Sequence, residues 1–87
     1  MSVIKLTAKQ VEMGREMAKI VGQSVTVDGD VLRFDVEDAA ELLVVATHAA
    51  SYWQSRKKTA NTKIALAIRE KLAEIVANER YLRSFMS

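Results

Sequence analysis

Few side chains in this sequence are of a type that could carry out catalysis. His48 is the single histidine, and nothing near it in the sequence resembles a nucleophile that awaits a base. A lone histidine in a helical segment is usually structural or simply exposed. Gly14, Gly22 and Gly29 are isolated from one another, so they cannot form a glycine-rich loop that holds phosphates. Because no catalytic constellation is present, we expect a protein that is not an enzyme.

Carboxylates are the remaining candidates for chemistry. Asp28 and Asp30 flank a glycine, but the further oxygen ligands of a cation-binding loop are missing, which favours a plain turn. The acidic residues after Asp35 could form carboxylate pairs, yet the capping of a helix accounts for them more simply. Cysteine is absent, so neither a disulfide nor a thiolate zinc site can form. We therefore expect no metal and no cofactor.

The segment SRKKTANTK, residues 55–63, follows the single tryptophan and carries four cations. These four residues are called the basic stretch: Arg56, Lys57, Lys58 and Lys63. Together with Arg69 they could neutralise phosphates while Tyr52 or Trp53 stacks on a base. Alternatively, the segment is a solvated turn whose cations interact favourably with the dipole of the preceding helix. A net charge of +2 is low for a dedicated nucleic-acid-binding protein, so the turn is the first interpretation and a polyanion or partner contact is the second.

Trp53 is expected to be a packing residue. Leu42, Ala46 and Ala49 precede it at helical spacing, and the four residues form one stripe. This register favours a ring that covers the end of a helix over a ring that stacks on a base.

The segment RYLRSFMS, residues 80–87, offers a candidate protein interface. It combines aromatic, methionine and arginine side chains, which are common in interfaces. Little remains for this segment to pack against once the other elements have formed a core. The candidate interface residues are Tyr81, Leu82, Arg83, Phe85 and Met86. The alternative is that the segment folds back and becomes part of the core.

The first predicted secondary-structure element is a helix that begins after Thr7. Thr7 and Gln10 form a capping-box pattern, and Leu6 with Val11 has the spacing of a hydrophobic staple. Gly22 is the predicted stop for this helix. Apolar residues recur between these limits at helical spacing: Met13, Met17, Ile20 and Val21.

A β-hairpin is expected next, in the segment SVTVDGDVLRFDV. Its Asp-Gly pair at 28–29 lies between two runs of alternating β-branched and aromatic residues. A two-residue turn at 28–29 places Val27 opposite Asp30. In that register one face of the hairpin is apolar and carries Val25, Val27, Leu32 and Phe34, while the other carries Ser24, Thr26 and Arg33.

Two further helices are expected in the second half of the chain. Asp35 caps the first of them, whose middle, LLVVATHAA, is apolar on almost every side. A helix of this kind is normally central and surrounded by its neighbours. The next helix is expected from about Thr62, after a break near Thr59 or Asn61. One continuous helix of about 70 Å, at 1.5 Å per residue, is the alternative, but it would leave the apolar stripe without neighbours in a single chain.

Composition and charge describe one compact domain over residues 1–87, with 49% hydrophobic and 28% charged residues. A chain of this length builds a thin core, so self-association is expected. Charge is uneven, because residues 1–50 carry a net −3 and residues 51–87 a net +5. The absence of cysteine, of a signal-peptide pattern and of an apolar run longer than residues 42–46 indicates a soluble cytoplasmic protein.

Three segments carry a resemblance to known proteins: LTAKQVEMGREMA, SVTVDGDVLRFDVEDAAELL and TKIALAIREKLAEIV. In layout and composition, most of the chain resembles small accessory proteins of tailed bacteriophages, particularly those of actinobacteria. The helix, hairpin, helix part is also similar to small head-to-tail joining proteins of phages, which act in assembly, although the third helix departs from them. The accessory proteins act without catalysis, so the resemblance implies binding to a host or viral protein in the host cytoplasm.

The sequence as a whole predicts a helix-dominated α+β protein with the order helix, β-hairpin, helix, helix. We expect a non-enzymatic accessory protein of phage type whose partner is a host or viral protein, and which also forms a homo-oligomer, at least a dimer. A nucleic-acid-binding module that uses residues 56–63 is the alternative, and a component of virion head-to-tail assembly is the third possibility. We expect no contact with membranes.

Overall fold

The computed structural model describes the backbone of residues 2–22 and 24–86, and the side chains of those residues as far as Tyr81. The elements, in chain order, are strand β1 (Ser2–Lys5), helix α1 (Ala8–Val21), strands β2 (Thr26–Asp28) and β3 (Val31–Phe34), a 3₁₀ turn (Val36–Asp38), helix α2 (Ala39–Ser55) and helix α3 (Thr59–Met86). The predicted α+β class and the order helix, hairpin, helix, helix are confirmed. Strand β1, ahead of this series, is an addition that the sequence pattern did not reveal.

Strand β1 lies at the edge of a three-stranded antiparallel sheet in the order β1-β3-β2. It pairs with β3, placing Ile4 opposite Leu32. The backbone N–H of Leu6 then donates to the carbonyl oxygen of Asp30 at 2.7 Å, just beyond the end of the strand. Only four residues form β1, and Ile4 is the only one of them that is buried. Such a short strand has almost no alternation of its own, and its pairing with β3 defines it.

The β2–β3 hairpin has a different register from the predicted one. Val27 lies opposite Leu32 rather than Asp30, so the two turn residues are Gly29 and Asp30. Gly29 has a φ of 63°, which suits the first central position of a type II′ turn. The shift moves the pairing by two residues, and side chains alternate with a period of two, so the predicted faces are preserved. Val25, Leu32 and Phe34 are buried, Val27 is half-buried, and Ser24, Thr26 and Arg33 are exposed.

Helix α1 begins and ends as predicted. The backbone N–H of Thr7 donates to Oε1 of Gln10 at 3.0 Å, as in a capping box. At the other end Gly22 has a φ of 121°, and its N–H donates to the carbonyl oxygen of Ala18. In mid-helix a Cβ at Gly14 would lie 2.7 Å from Cδ1 of the buried Leu6. A side chain at this position would therefore require Leu6 to shift, and glycine allows its close approach to α1.

The predicted break between α2 and α3 is confirmed, and it lies at residues 56–58. Lys57 has a φ of 60°, the left-handed conformation that ends many helices. The N–H of Lys58 donates to the carbonyl of Trp53, and the N–H of Lys57 to that of Gln54, both at 3.0 Å. These two bonds form a Schellman motif, which normally has glycine at the position of Lys57. Helix α3 starts at Thr59, three residues earlier than expected.

Asp35 does not cap α2 itself, because a 3₁₀ turn lies between them. It stands before the 3₁₀ turn, and its carbonyl oxygen accepts the N–H of Asp38 at 2.9 Å. The α-helix itself begins at Ala39, which is buried. The acidic residues at 37, 38 and 41 lie in this turn and in the first turn of α2, as expected for the positive end of a helix dipole.

The core lies between the inner face of the sheet and the three helices. Its largest fully buried side chains are Phe34, Met17, Leu32, Leu42, Ile68 and Leu72. The α2 side of the core is a stripe of mostly small residues, since Ala46 and Ala50 follow Leu42 at helical spacing. Val44, on α2, is 54% exposed. The expectation that α2 is surrounded was therefore wrong, because α3 and α1 cover only part of its surface within one chain.

Candidate functional site

A groove with a volume of about 660 Å³ lies between α1 and the α2–α3 pair. All three helices contribute to it. Its apolar lining includes Met13, Met17, Ile20, Val45, Trp53 and Ile64. Its polar lining consists of Lys9, Glu12, Glu16, His48, Tyr52 and Asn61. An apolar groove with a polar border is the usual character of a binding site.

The α1 side of the groove follows from the sequence of α1. Met13, Met17 and Ile20 recur at spacings of four and three, so they share one apolar face of the helix. Only Met17 is fully buried, whereas Ile20 is 67% exposed. The sequence pattern could not separate core from groove, because both are apolar and lie on the same side of α1.

The α2 side of the groove ends in two aromatic side chains that contact each other. The rings of Tyr52 and Trp53 meet edge to face, with centroids 5.0 Å apart and an angle of 82° between the planes. The guanidinium carbon of Arg56 lies 4.5 Å from the centroid of Tyr52, a cation–π contact. These contacts connect the groove to the first residue of the basic stretch.

Trp53 packs at the end of α2 but is not fully buried. Its ring is partly exposed and contributes to the lining of the groove. Of the stripe predicted from the sequence, Leu42 and Ala46 are buried, while Ala49 and Trp53 are half-buried. The stripe therefore runs from the core into the groove, and Trp53 is a wall residue of the site.

The basic stretch forms the turn between α2 and α3 and the first part of α3. All four of its side chains are exposed. Within the described residues, the ion pairs are Lys19 with Glu16 and Arg33 with Asp28, so none involves the basic stretch. Lys57, Lys58 and Lys63 border a second, smaller cavity of about 230 Å³. Arg69 is also exposed but lines neither cavity, and the structure does not group it with the other four.

The candidate interface near the end of α3 is only partly described. Helix α3 continues to Met86, and Tyr81 is 64% exposed. The side chains of Leu82, Arg83, Phe85 and Met86 lie outside the described residues. The expectation that this segment forms an interface therefore stays a prediction.

Within the described part of the chain, side chains of the types that act in catalysis or bind metals do not form a cluster. His48 is exposed at the groove, and no carboxylate or nucleophile within the described residues is hydrogen-bonded to it. No cluster of three or more metal-ligating side chains occurs within residues 2–22 and 24–81. The helices in these segments lack the combination of length and apolar character needed to cross a bilayer. Comparisons with protein-family models, curated proteins and solved structures found no match to the chain.

Proposed function

We propose that this protein is a non-catalytic binding protein that holds an amphipathic helix of another protein in the groove. The observation that carries the proposal is the groove itself, an apolar surface built by three helices and left open to solvent. Helix-in-groove recognition places apolar anchors at positions i, i+3, i+4 and i+7 into such a surface. Methionine side chains suit this role because they are flexible and polarisable.

The dimensions of the groove support a helix as the ligand. Its α1 wall runs from Lys9 to Ile20, which at 1.5 Å per residue is about 16 Å, or three helical turns. A ligand helix of roughly ten to twelve residues, from the same rise, would cover this length. The volume of about 660 Å³ accommodates several large side chains rather than a whole globular surface.

The charges of the groove indicate the chemistry of one side of the ligand helix. Glu12 and Glu16 lie one turn apart on the α1 wall, and Lys9 is the single lysine of the lining. Glu16 pairs with Lys19 at 3.6 Å, whereas Glu12 has no ion pair within the described residues. A ligand with basic residues beside its apolar stripe is complementary to this wall. Exposed pairs of this kind contribute more to orientation and association rate than to affinity.

The partner proposed is a host or viral protein. The support for this step is the resemblance of the chain's layout to phage accessory proteins, which act by binding. The geometry supports the mode of binding, and the resemblance supports the class of partner.

Capture of partners by Ile20 variants tests the proposal. Ile20→Glu places a charge in the groove at an exposed position, and Val3→Glu is a matched control at an exposed position of β1. Proteins captured by the parent and by Val3→Glu, but not by Ile20→Glu, are the expected result. A captured protein is then purified and titrated while the emission of Trp53, the single tryptophan, is recorded. A partner that binds both variants equally, or that leaves Trp53 emission unchanged, would contradict the use of the groove.

A polyanion contact at the basic stretch is the second candidate function. It is favoured by four exposed cations without an ion pair in the described part of the chain, next to the positive end of the α3 dipole. The same capture experiment, repeated after nuclease treatment, separates the two candidates. Partners that are lost with nuclease are held through nucleic acid, and those that remain are held through protein.

A further inference from the structure

One side of helix α2 is open to solvent and carries no charge. Four residues on this side recur at spacings of four, three and four, and their side chains are all exposed: Ala40, Val44, Thr47 and Ser51. They are called the outer face of α2. Val44 is its largest apolar side chain and is 54% exposed. These four residues are not among those that line the groove, so the outer face is a separate surface.

The lack of charge distinguishes α2 from the other two helices. Residues 42–55 include no lysine, arginine, aspartate or glutamate, although half of them are exposed. Over a comparable length, α1 exposes Lys9, Glu12, Arg15, Glu16 and Lys19, and α3 exposes Lys63, Arg69, Glu70 and Glu74. Depletion of charged residues is the compositional mark of the centre of a protein interface.

The hydroxyl groups along this side of α2 include two that are already bonded within the helix. The hydroxyl of Thr47 donates to the carbonyl oxygen of Leu43 at 2.9 Å, and that of Ser55 donates to the carbonyl oxygen of Tyr52 at 2.7 Å. A second surface can cover such hydroxyls without leaving a donor unpaired. Short side chains also allow another helix to approach closely, at an axis separation of about 8–10 Å.

The two ends of α2 carry opposite charges. The side chains at its start are Asp35, Glu37, Asp38 and Glu41, and those in the turn after its end are Arg56, Lys57 and Lys58. Within the described residues none of these seven groups has an ion pair, although Arg56 contacts the ring of Tyr52. The helix dipole favours these signs at the two ends, but it does not account for the absence of charge between them.

The neighbouring helix α3 largely repeats this polarity. Helices α2 and α3 are joined by a short turn and run antiparallel, so Lys63 lies toward the basic end of α2, and Glu70 and Glu74 lie toward its acidic end. Arg69 is the exception among the exposed charges of residues 62–76. Lys71 is half-buried and is bonded to the carbonyl of Lys5 and to Gln10.

We infer that the outer face of α2 binds the same face of a second copy of this protein, with the two α2 helices antiparallel. In this arrangement the acidic start of each α2 lies beside the basic end of the other, and the two helix dipoles are opposed. The contact is the same for both copies about a two-fold axis, so it closes as a dimer and does not propagate into a chain.

The charges also place the two-fold axis. The midpoint between Glu37 and Lys58 falls at residues 47–48, and the midpoint between Glu41 and Arg56 falls at residues 48–49. Opposite charges therefore meet at both ends when the axis passes close to Thr47. The centre of the uncharged segment, residues 42–55, lies at the same place.

Charges introduced near the axis test the inference in the full chain. Thr47→Glu brings two carboxylates together in the dimer and Thr47→Lys brings two ammonium groups together, so each should raise the dimer dissociation constant roughly tenfold or more. An equimolar mixture of the two variants brings opposite charges together, and a heterodimer is the expected result. Sedimentation measures the masses across a hundredfold range of concentration.

The matched controls are Val3→Glu and Val3→Lys, which make the same changes in net charge at an exposed position of β1. They should dimerise as the parent does. Thr47 is exposed in the middle of α2, and glutamate and lysine are better helix formers than threonine, so the variants at this position should fold. Circular dichroism verifies this.

Reversal of the charges at the ends of α2 tests the antiparallel arrangement. The start variant is Glu37→Lys with Glu41→Lys, and the end variant is Arg56→Glu with Lys58→Glu. Each alone should dimerise more weakly than the parent, and their mixture should form a heterodimer. The variant with all four changes has the net charge of the parent and restores opposite charges at both ends, so it should form a homodimer. Added salt should weaken the parent dimer, because its end contacts are attractive.

The inference is overturned if the parent is a monomer at all concentrations, if Thr47→Glu dimerises as the parent does, or if the mixture of Thr47 variants stays monomeric. A parent dimer that salt strengthens would contradict the antiparallel arrangement. A monomeric parent that captures a protein, and loses it in Thr47→Glu, would assign the outer face to another protein and also overturn the inference.

The inference goes beyond the proposed function and can fail separately from it. Ile20→Glu changes the groove and not the outer face, so it should dimerise as the parent does. A dimer that follows the charge pattern, together with no partner that depends on Ile20, supports the inference and contradicts the proposed function. A monomeric parent whose captured protein is lost in Ile20→Glu gives the reverse result.

Discussion

Lys57 occupies a backbone conformation that a residue with a Cβ adopts at a cost. Its φ of 60° lies in the left-handed region, which costs roughly 1–2 kcal/mol relative to the right-handed one. The surrounding Schellman bonds hold it there and separate α2 from α3. The turn between these two helices therefore places a residue with a strained backbone at a position where its charged side chain is exposed. A change at Lys57 can alter both the stability of the protein and its surface charge.

Substitution of Lys57 by glycine should stabilise the protein. Glycine adopts the left-handed conformation without strain, and this gain exceeds its greater entropy in the unfolded chain, so we expect a net increase of about 0.5–1 kcal/mol in the free energy of unfolding. Urea denaturation measures the change. Lys57→Ala is the matched control, since it removes the same charge but keeps the Cβ. An equal gain in both variants would show that charge, and not backbone strain, is responsible.

Trp53 is the second residue whose contribution to stability can be estimated from its surroundings. A fully buried tryptophan would lose about 3–5 kcal/mol on truncation to alanine. Its ring is only partly buried in the groove wall, so Trp53→Ala should cost about 1–3 kcal/mol. Thermal or urea denaturation measures this loss, and Trp53→Phe should recover most of it. Unchanged stability of the alanine variant would mean that the ring contributes to binding alone.

At the scale of elements, a small group of hydrogen bonds connects β1, α1 and α3. Gln10 is buried at the start of α1, and its Oε1 accepts both the N–H of Thr7 and the Nζ of Lys71, at 3.0 and 3.3 Å. The same ammonium donates to the carbonyl oxygen of Lys5 at 3.0 Å. Helix α3 is thereby attached to the end of β1 and to the beginning of α1. These contacts connect residues more than sixty positions apart in the sequence.

Removal of the Gln10 amide should therefore destabilise the fold. Gln10→Ala leaves the N–H of Thr7 and the ammonium of Lys71 without this acceptor, and we expect a loss of about 1–2 kcal/mol in the free energy of unfolding. Urea denaturation is again the measurement. Glu12→Ala, at an exposed position of the same helix, should change stability by less than about 0.5 kcal/mol. Equal losses in the two variants would indicate a general effect of helix α1 and not of this contact.

At the scale of the whole molecule, the protein is elongated and its acidic and basic side chains lie in different regions. The molecule measures 44 × 25 × 20 Å, and α3, at about 42 Å by its 28 residues, accounts for the long dimension. The carboxylates of the groove lie on α1, while the basic stretch lies where α2 turns into α3. A partner that approaches the groove therefore meets a positive region at one end of it.

Replacement of the basic stretch by glutamine tests what this region contributes. The variant changes Arg56, Lys57, Lys58 and Lys63 together. The parent should bind DNA or heparin weakly, with a salt slope no steeper than about four, as expected for four phosphate contacts. The variant should lose this binding and still hold a protein partner in the groove, with a reduced association rate. Tight, sequence-selective nucleic-acid binding by the parent at physiological salt would make the basic stretch the functional site instead.

Local signals in the sequence were sufficient for much of the fold. The cap at Thr7, the stop at Gly22 and the apolar alternation of the hairpin depend on contacts within a few residues, and the structure has all three. The break after α2 was also predictable, although its left-handed Lys57 was not. The exact hairpin pairing differed because the turn geometry of Gly29, with its positive φ, selects the register.

The sequence by itself determined the helices, the hairpin and its apolar face, and the exposed position of the basic stretch. Only the tertiary structure decided that β1 joins the sheet, that Ile20 and Trp53 line a groove, and that α2 is left partly uncovered. The physical reason is that periodicity reports which side of an element is apolar, whereas the choice among core, groove and open surface depends on how distant elements pack. That packing involves residues far apart in the sequence, such as Ile4 and Leu72 in the core or Lys71 and Lys5 at its edge, which no local pattern contains.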